Sequence, residues 1–146
     1  MRKFRPTAQL FKLILLVAVS GQSYASCTHN VLGDWQLDTT RFATGHDQTT
    51  RDKILTYYGG VSFMRVSFTK NTVSNSEWNR DLEKWSVPQD AHYDPIAENG
   101  TECKLRTRVE HEGETIESVM TIRFDNVGFC FVHEGEKPGN DCYVKN

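Results

Sequence analysis

Two alternating runs on either side of Glu112-Gly113 constrain this chain more than any other feature. From Cys103 to Glu110, Cys103, Leu105, Thr107 and Val109 fall on one side and Lys104, Arg106, Arg108 and Glu110 on the other. A period of two that separates apolar from charged residues describes a strand with one buried and one wet face. Thr115 to Phe124 repeats the pattern, with Ile116, Met120, Ile122 and Phe124 inward. In the next run Phe129, Phe131 and His133 alternate with Cys130 and Val132, so apolar residues on both faces predict cover on both sides. The links between runs are short and rich in turn formers: Lys70-Asn71, Glu112-Gly113 and Asp125-Asn126-Val127-Gly128. Such links join neighbouring strands antiparallel.

Further runs at Val31 to Asp38, Val61 to Thr69, Thr72 to Trp78, Glu83 to Val87 and Asp141 to Lys145 raise the expected count to about eight strands. A meander of that kind must close on itself or pair two sheets to protect its edges. The chain is therefore read as mainly β, a single antiparallel β-barrel or β-sandwich with one short helix after the first strand. Thr50 is the expected cap of that helix, Ile54, Leu55 and Tyr58 share a face, and Gly59-Gly60 stops it. Pro88 to Glu102, with Pro88, Pro95 and Asn99-Gly100, reads as a long loop.

Arg2, Lys3, Arg5 and Lys12 flank and precede the apolar Leu13 to Val19, and Ser23-Tyr24-Ala25 offers small residues for a signal peptidase. Residues 1–25 thus read as a cleaved signal peptide and 26–146 as a single disulfide-bonded domain. The apolar run is about seven residues where a membrane span needs roughly 20, so no membrane insertion is expected after cleavage. The signal takes four of the 17 Lys and Arg and none of the 19 Asp and Glu, leaving 13 against 19 and a mature charge of −6. That balance disfavours nucleic acid and suits a basic protein partner.

All four cysteines lie in the mature part, and an even number in an oxidising compartment reads as two disulfides. Three connectivities are open. Cys130–Cys142 is preferred because the two face each other across the last hairpin, which leaves Cys27–Cys103. By loop entropy the short and long closures contribute roughly 3 and 4.5 kcal/mol. No pair has the Cys-x-x-Cys spacing of a zinc site, and neither metal nor cofactor is expected. There is no Gly-x-Ser-x-Gly elbow and no glycine-rich phosphate loop, so no catalytic residue is assigned and the chain reads as a binding protein, not an enzyme.

One small repetition supplies the candidate binding residues. His111-Glu112-Gly113-Glu114 recurs as His133-Glu134-Gly135-Glu136. Alternate turns of a meander fall at the same end of the sheet. His111, Glu112, Glu114, His133, Glu134 and Glu136 are therefore expected to form an acidic docking edge. Trp78 and Trp85, with Arg80 between them, have the composition of a second contact region.

Gly33-Asp34-Trp35 within Val31 to Leu37 resembles the Gly-x-Trp start of lipocalin-like barrels. In that family the Trp closes one end of the barrel beneath a basic residue from a late strand, a part the resemblance gives to Arg123. It implies a hollow barrel that carries a small apolar ligand, and a filled interior would eliminate it. Taken whole, the signal peptide, size, acidity, cysteine count and β pattern resemble the periplasmic immunity proteins of type VI secretion systems, and more loosely periplasmic lysozyme inhibitors. That resemblance implies a periplasmic inhibitor that occludes the active site of a basic peptidoglycan hydrolase or toxin effector, and it permits a homodimer. The inhibitor is the leading expectation and the apolar-ligand carrier the alternative.

Overall fold

The computed structural model describes residues 26–133 and 140–146; the expected signal peptide, Glu134 and Glu136 lie outside them. The described elements run α1 (Cys27–Asn30), β1 (Gly33–Leu37), α2 (Thr39–Thr44), α3 (Gln48–Tyr58), β2 (Met64–Phe68), β3 (Thr72–Asn79), β4 (Lys84–Trp85), β5 (Gln89–Glu98), β6 (Glu102–His111), β7 (Glu114–Phe124), β8 (Gly128–Val132) and β9 (Cys142–Lys145). Strand β1 pairs antiparallel with β2 on one side and with β9 on the other. From β2 the pairing continues through β3, β5, β6, β7 and β8 to β9, antiparallel throughout. Eight strands thus close a barrel, and the two-residue β4 pairs only with β3 outside it. Closure resolves the alternative between barrel and sandwich, and it leaves the circuit without a free end.

Both expected disulfides are present. Cys27–Cys103 ties α1 to the start of β6, and Cys130–Cys142 joins directly paired residues of β8 and β9. Gly128 allows those two strands to approach. A methyl group there would lie 1.9 Å from the backbone oxygen of Tyr143.

The strand count came out close to expectation through two offsetting differences. The segment expected to be a long loop contains β5, ten residues that complete the wall. Most of its side chains are exposed, so the apolar alternation is faint, and Pro95 interrupts it. The register shifts between Pro95 and Ala97, an irregularity that accommodates a residue without an N–H. Conversely, the run at Glu83 to Val87 shrinks to the two-residue β4.

The helical content also exceeds expectation. The expected helix is α3, capped by the Asp47 carboxylate accepting from the Thr50 N–H, with Gly59 left-handed at its end. Asp47, not Thr50, is the cap because its side chain reaches the N–H three residues on. Two shorter helices, α1 and α2, are additional. In α2, Arg41 reaches Asp125 in the β7–β8 turn at 2.6 Å, holding the helix against the barrel.

Two stability tests follow. Gly128→Ala should lower stability by about 1–3 kcal/mol by overpacking the β8–β9 approach. Gly100→Ala, where the added methyl group meets nothing within 4 Å, serves as the control; chemical denaturation compares them. Partial burial of Asp125 works against its charge, but the Val127 and Gly128 N–H groups and Arg41 outweigh it and hold the carboxyl below its usual range. A depressed folded value stabilises above the unfolded pKa of about 3.9, and the contribution is lost as pH falls through the folded value. The stability gap between wild type and Asp125→Asn should therefore be full at neutral pH and shrink in acid.

Candidate ligand-binding cavity

The barrel is closed at one end and hollow toward the other, and the side chains of each strand make the difference. At the closed end Trp35, Phe68, Tyr93, Leu105, Ile122 and Phe129 are all nearly inaccessible to solvent. The Trp35 ring meets Phe129 edge-on at 4.9 Å, and Phe129 lies 5.9 Å from Phe68. Val31, which caps the end of α1, and the buried Cys27–Cys103 bridge join the same core.

Trp35 is fixed by polar contacts as well. Its indole N–H donates to the Val31 carbonyl at 2.6 Å. The Lys145 ammonium sits 4.1 Å from its ring centroid and donates to the Leu32 carbonyl at 2.6 Å. The basic residue over the Trp is therefore Lys145 and not Arg123. Arg123 lies between inward-facing Ile122 and Phe124, so it points outward, where it pairs with Glu102. Gly33, at φ 107°, makes room for the arrangement, since a methyl group there would lie 2.9 Å from the Lys145 Nζ.

Above this floor the inward residues become smaller. A cavity of about 350 Å³ is lined by Met64, Val66, Val73, Ala91, Thr107, Val109, Met120, Phe131 and Tyr143, with Asn75, Gln89, Asp90 and Asp141 among them. Its volume is at the small end of the ~300–1,000 Å³ typical of ligand pockets, and its mix of apolar walls with a few polar groups is typical too. Thr107 is buried, but its hydroxyl is satisfied by Ser118 Oγ at 2.6 Å. Tyr143 stacks on Phe129 at 5.3 Å and forms part of the cavity floor. Its hydroxyl lies 2.9 Å from Met64 Sδ. Burial, followed by the nearby Asp141 and Glu77 carboxylates, pushes the phenol well above its ordinary range, so it stays protonated.

The cavity opens where β6 and β7 rise past the rest of the wall. Strand β6 is paired with β5 only as far as Arg108, and β7 with β8 only from Thr121 onward. Val109 and Ile116 face each other on the inner side of this arm, 40% and 53% exposed. A second hollow of about 620 Å³ continues from the cavity along Ser118, Met120, Phe131, His133 and Asp141.

The residues singled out from the sequence sit around this end. His111 and Glu114 form the last pair of the β6–β7 hairpin, and Glu112, at φ 51°, makes the turn with Gly113. His133 lies just beyond β8, its Nε2 3.4 Å from Asp141 Oδ2. No ion pair joins it to His111, Glu112 or Glu114 among the described residues. Trp78 and Trp85 oppose each other across β3 and β4 with ring centroids 5.5 Å apart, and Arg65 covers Trp85 at 4.0 Å. Met64, Ala91 and Tyr143 escaped sequence reasoning as site residues. The usable signal was the change in side-chain size along each strand, from Tyr93 to Ala91 in β5 and from Leu105 to Thr107 in β6.

No protein-family model matches the chain, and no curated protein matches it. Among solved structures it is similar to a lipocalin-like protein from Bacteroides uniformis ATCC 8492, with a TM-score of 0.47 and 15% identity over 80% of this chain and 99% of that one. The barrel described above stands on its own strand pairings.

Removing the cation above Trp35 tests the floor. Lys145→Met should cost about 0.5–2 kcal/mol in chemical denaturation, the range of a partly desolvated cation–π contact, while Lys104→Met on the exposed side of β6 should leave stability near wild type.

Proposed function

We propose that this protein is an exported carrier that holds a small apolar ligand in the open half of its barrel. The observation that carries the reading is the cavity of about 350 Å³ above a floor plugged by Trp35 and Phe129. A filled interior would have removed this possibility. The walls supply apolar contact, and Asn75 and Gln89 supply the sparse polar groups that orient a ligand. Two disulfides suit an oxidising, exported setting such as the periplasm, and among the described residues no helix is long and apolar enough to cross a membrane.

Titration with the neutral fluorophore N-phenylnaphthylamine tests the proposal. Wild type should enhance its emission saturably. Ala91→Phe, which projects a ring into the cavity, should weaken binding by about tenfold or more, equivalent to ~1.4 kcal/mol, while thermal unfolding shows that the barrel is intact. Equal affinity in the two proteins would contradict the carrier reading.

A second reading is favoured by a separate feature, the β6–β7 tip, where Glu110, Glu112 and Glu114 are exposed beside Ile116. It is the inhibitor of a basic cell-wall hydrolase, docked through that tip. Here Glu112→Lys combined with Glu114→Lys should abolish inhibition of a cationic muramidase without altering fluorophore binding. Unchanged inhibition by the double variant would remove the tip from the interface.

A further inference from the structure

The charged residues among those that line the cavity are all carboxylates. Asp90 and Asp141 are among its lining residues, Glu77 is close enough to raise the Tyr143 phenol, and no Lys or Arg is among the described residues that line either the cavity or the hollow continuing from it. Asp141 at the mouth, with Glu77 paired to and on the same inward face as Met64, gives this low-dielectric chamber a negative potential that draws cations toward it. An anionic head group entering the same space would meet repulsion that no Lys or Arg among the described lining residues offsets.

Asp141 is the carboxylate best placed to act. It lies where the cavity and the hollow meet, and its backbone oxygen accepts from the Phe131 N–H, which fixes it beside the apolar wall. Its side chain is 28% exposed, so it is reachable from solvent. The imidazole beside it belongs to a His133 side chain that is 54% exposed and rotatable, a partner that an ammonium group can displace. Below Asp141 lie Met64, Met120, Phe131 and Tyr143, which offer an alkyl chain apolar surface.

Resting on the carrier reading, we infer that the ligand class is a cationic amphiphile, with its alkyl portion in the lumen and its ammonium donating to Asp141 at the mouth. A charge-assisted hydrogen bond at that position selects an amine over the corresponding alcohol, and the same field disfavours a fatty acid.

Displacement of N-phenylnaphthylamine by decylamine, decanol and decanoate, each below its micelle concentration, tests this on the mature protein. Decylamine should displace the fluorophore at a concentration about tenfold below that of decanol, with decanoate the weakest. Asp141→Asn should bring decylamine to the level of decanol while leaving decanol unchanged, which also shows that the variant's cavity is intact. Equal potency of amine and alcohol in wild type, or an amine preference that survives in Asp141→Asn, overturns the inference and leaves the carrier reading standing. Absence of fluorophore binding in wild type overturns the carrier reading, and this inference with it.

Discussion

Trp35 is held from several directions, and the rest of the barrel is arranged around it. Its N–H is satisfied by Val31, its face by Lys145 and its edge by Phe129. These contacts draw on the cap of α1, on β8 and on β9, so a single side chain couples the first strand to the last two. The pairing of β1 with β9 closes the circuit at the same place. A closed sheet has no edge to expose, but closure alone does not decide whether the interior is filled. Trp35 and its neighbours fill one half, and the smaller residues beyond them leave the other half open.

Packing density explains why the open half needs an explanation at all. Protein interiors are packed like organic crystals, and a void with apolar walls sacrifices dispersion contacts. Here Val73, Ala91, Thr107 and Val109 stand where larger side chains would close the space. Beneath them Phe68, Tyr93 and Leu105 close it completely. The contrast occurs within single strands, so strand geometry is not its cause. Side-chain size is, and a chamber sized for a small molecule is the functional reading that accounts for the contrast.

The sequence made some of this legible and hid the rest for physical reasons. Strands β6 and β7 were readable because one face is apolar and the other charged, and Cys130–Cys142 followed from the hairpin it closes, which left Cys27–Cys103. Strand β5 was hidden because almost all of it is exposed, with Tyr93 its one buried residue and Pro95 within it. The basic residue over Trp35 was misassigned although strand parity already argued against Arg123, which separates two inward aromatic or aliphatic neighbours. Lys145 shares the parity of Tyr143 and reaches Trp35 from the last paired position of β9. The place of Asp141 in the cavity was not legible, because that cavity is assembled from seven strands. The position of Glu112 and Glu114 at the open end of the barrel came only with the fold.

The central claim is that the open half of the barrel is a ligand chamber. The chain has three methionines, Met1, Met64 and Met120, and the last two both line the cavity. Methyl-13C methionine labelling of the protein lacking residues 1–25 therefore gives two resonances, each a reporter on the chamber. Titration with N-phenylnaphthylamine should shift both saturably and give intermolecular NOEs from the aromatic protons to both methyl groups. Unmoved methionine methyls under conditions where the fluorophore is bound would place it elsewhere and contradict the account.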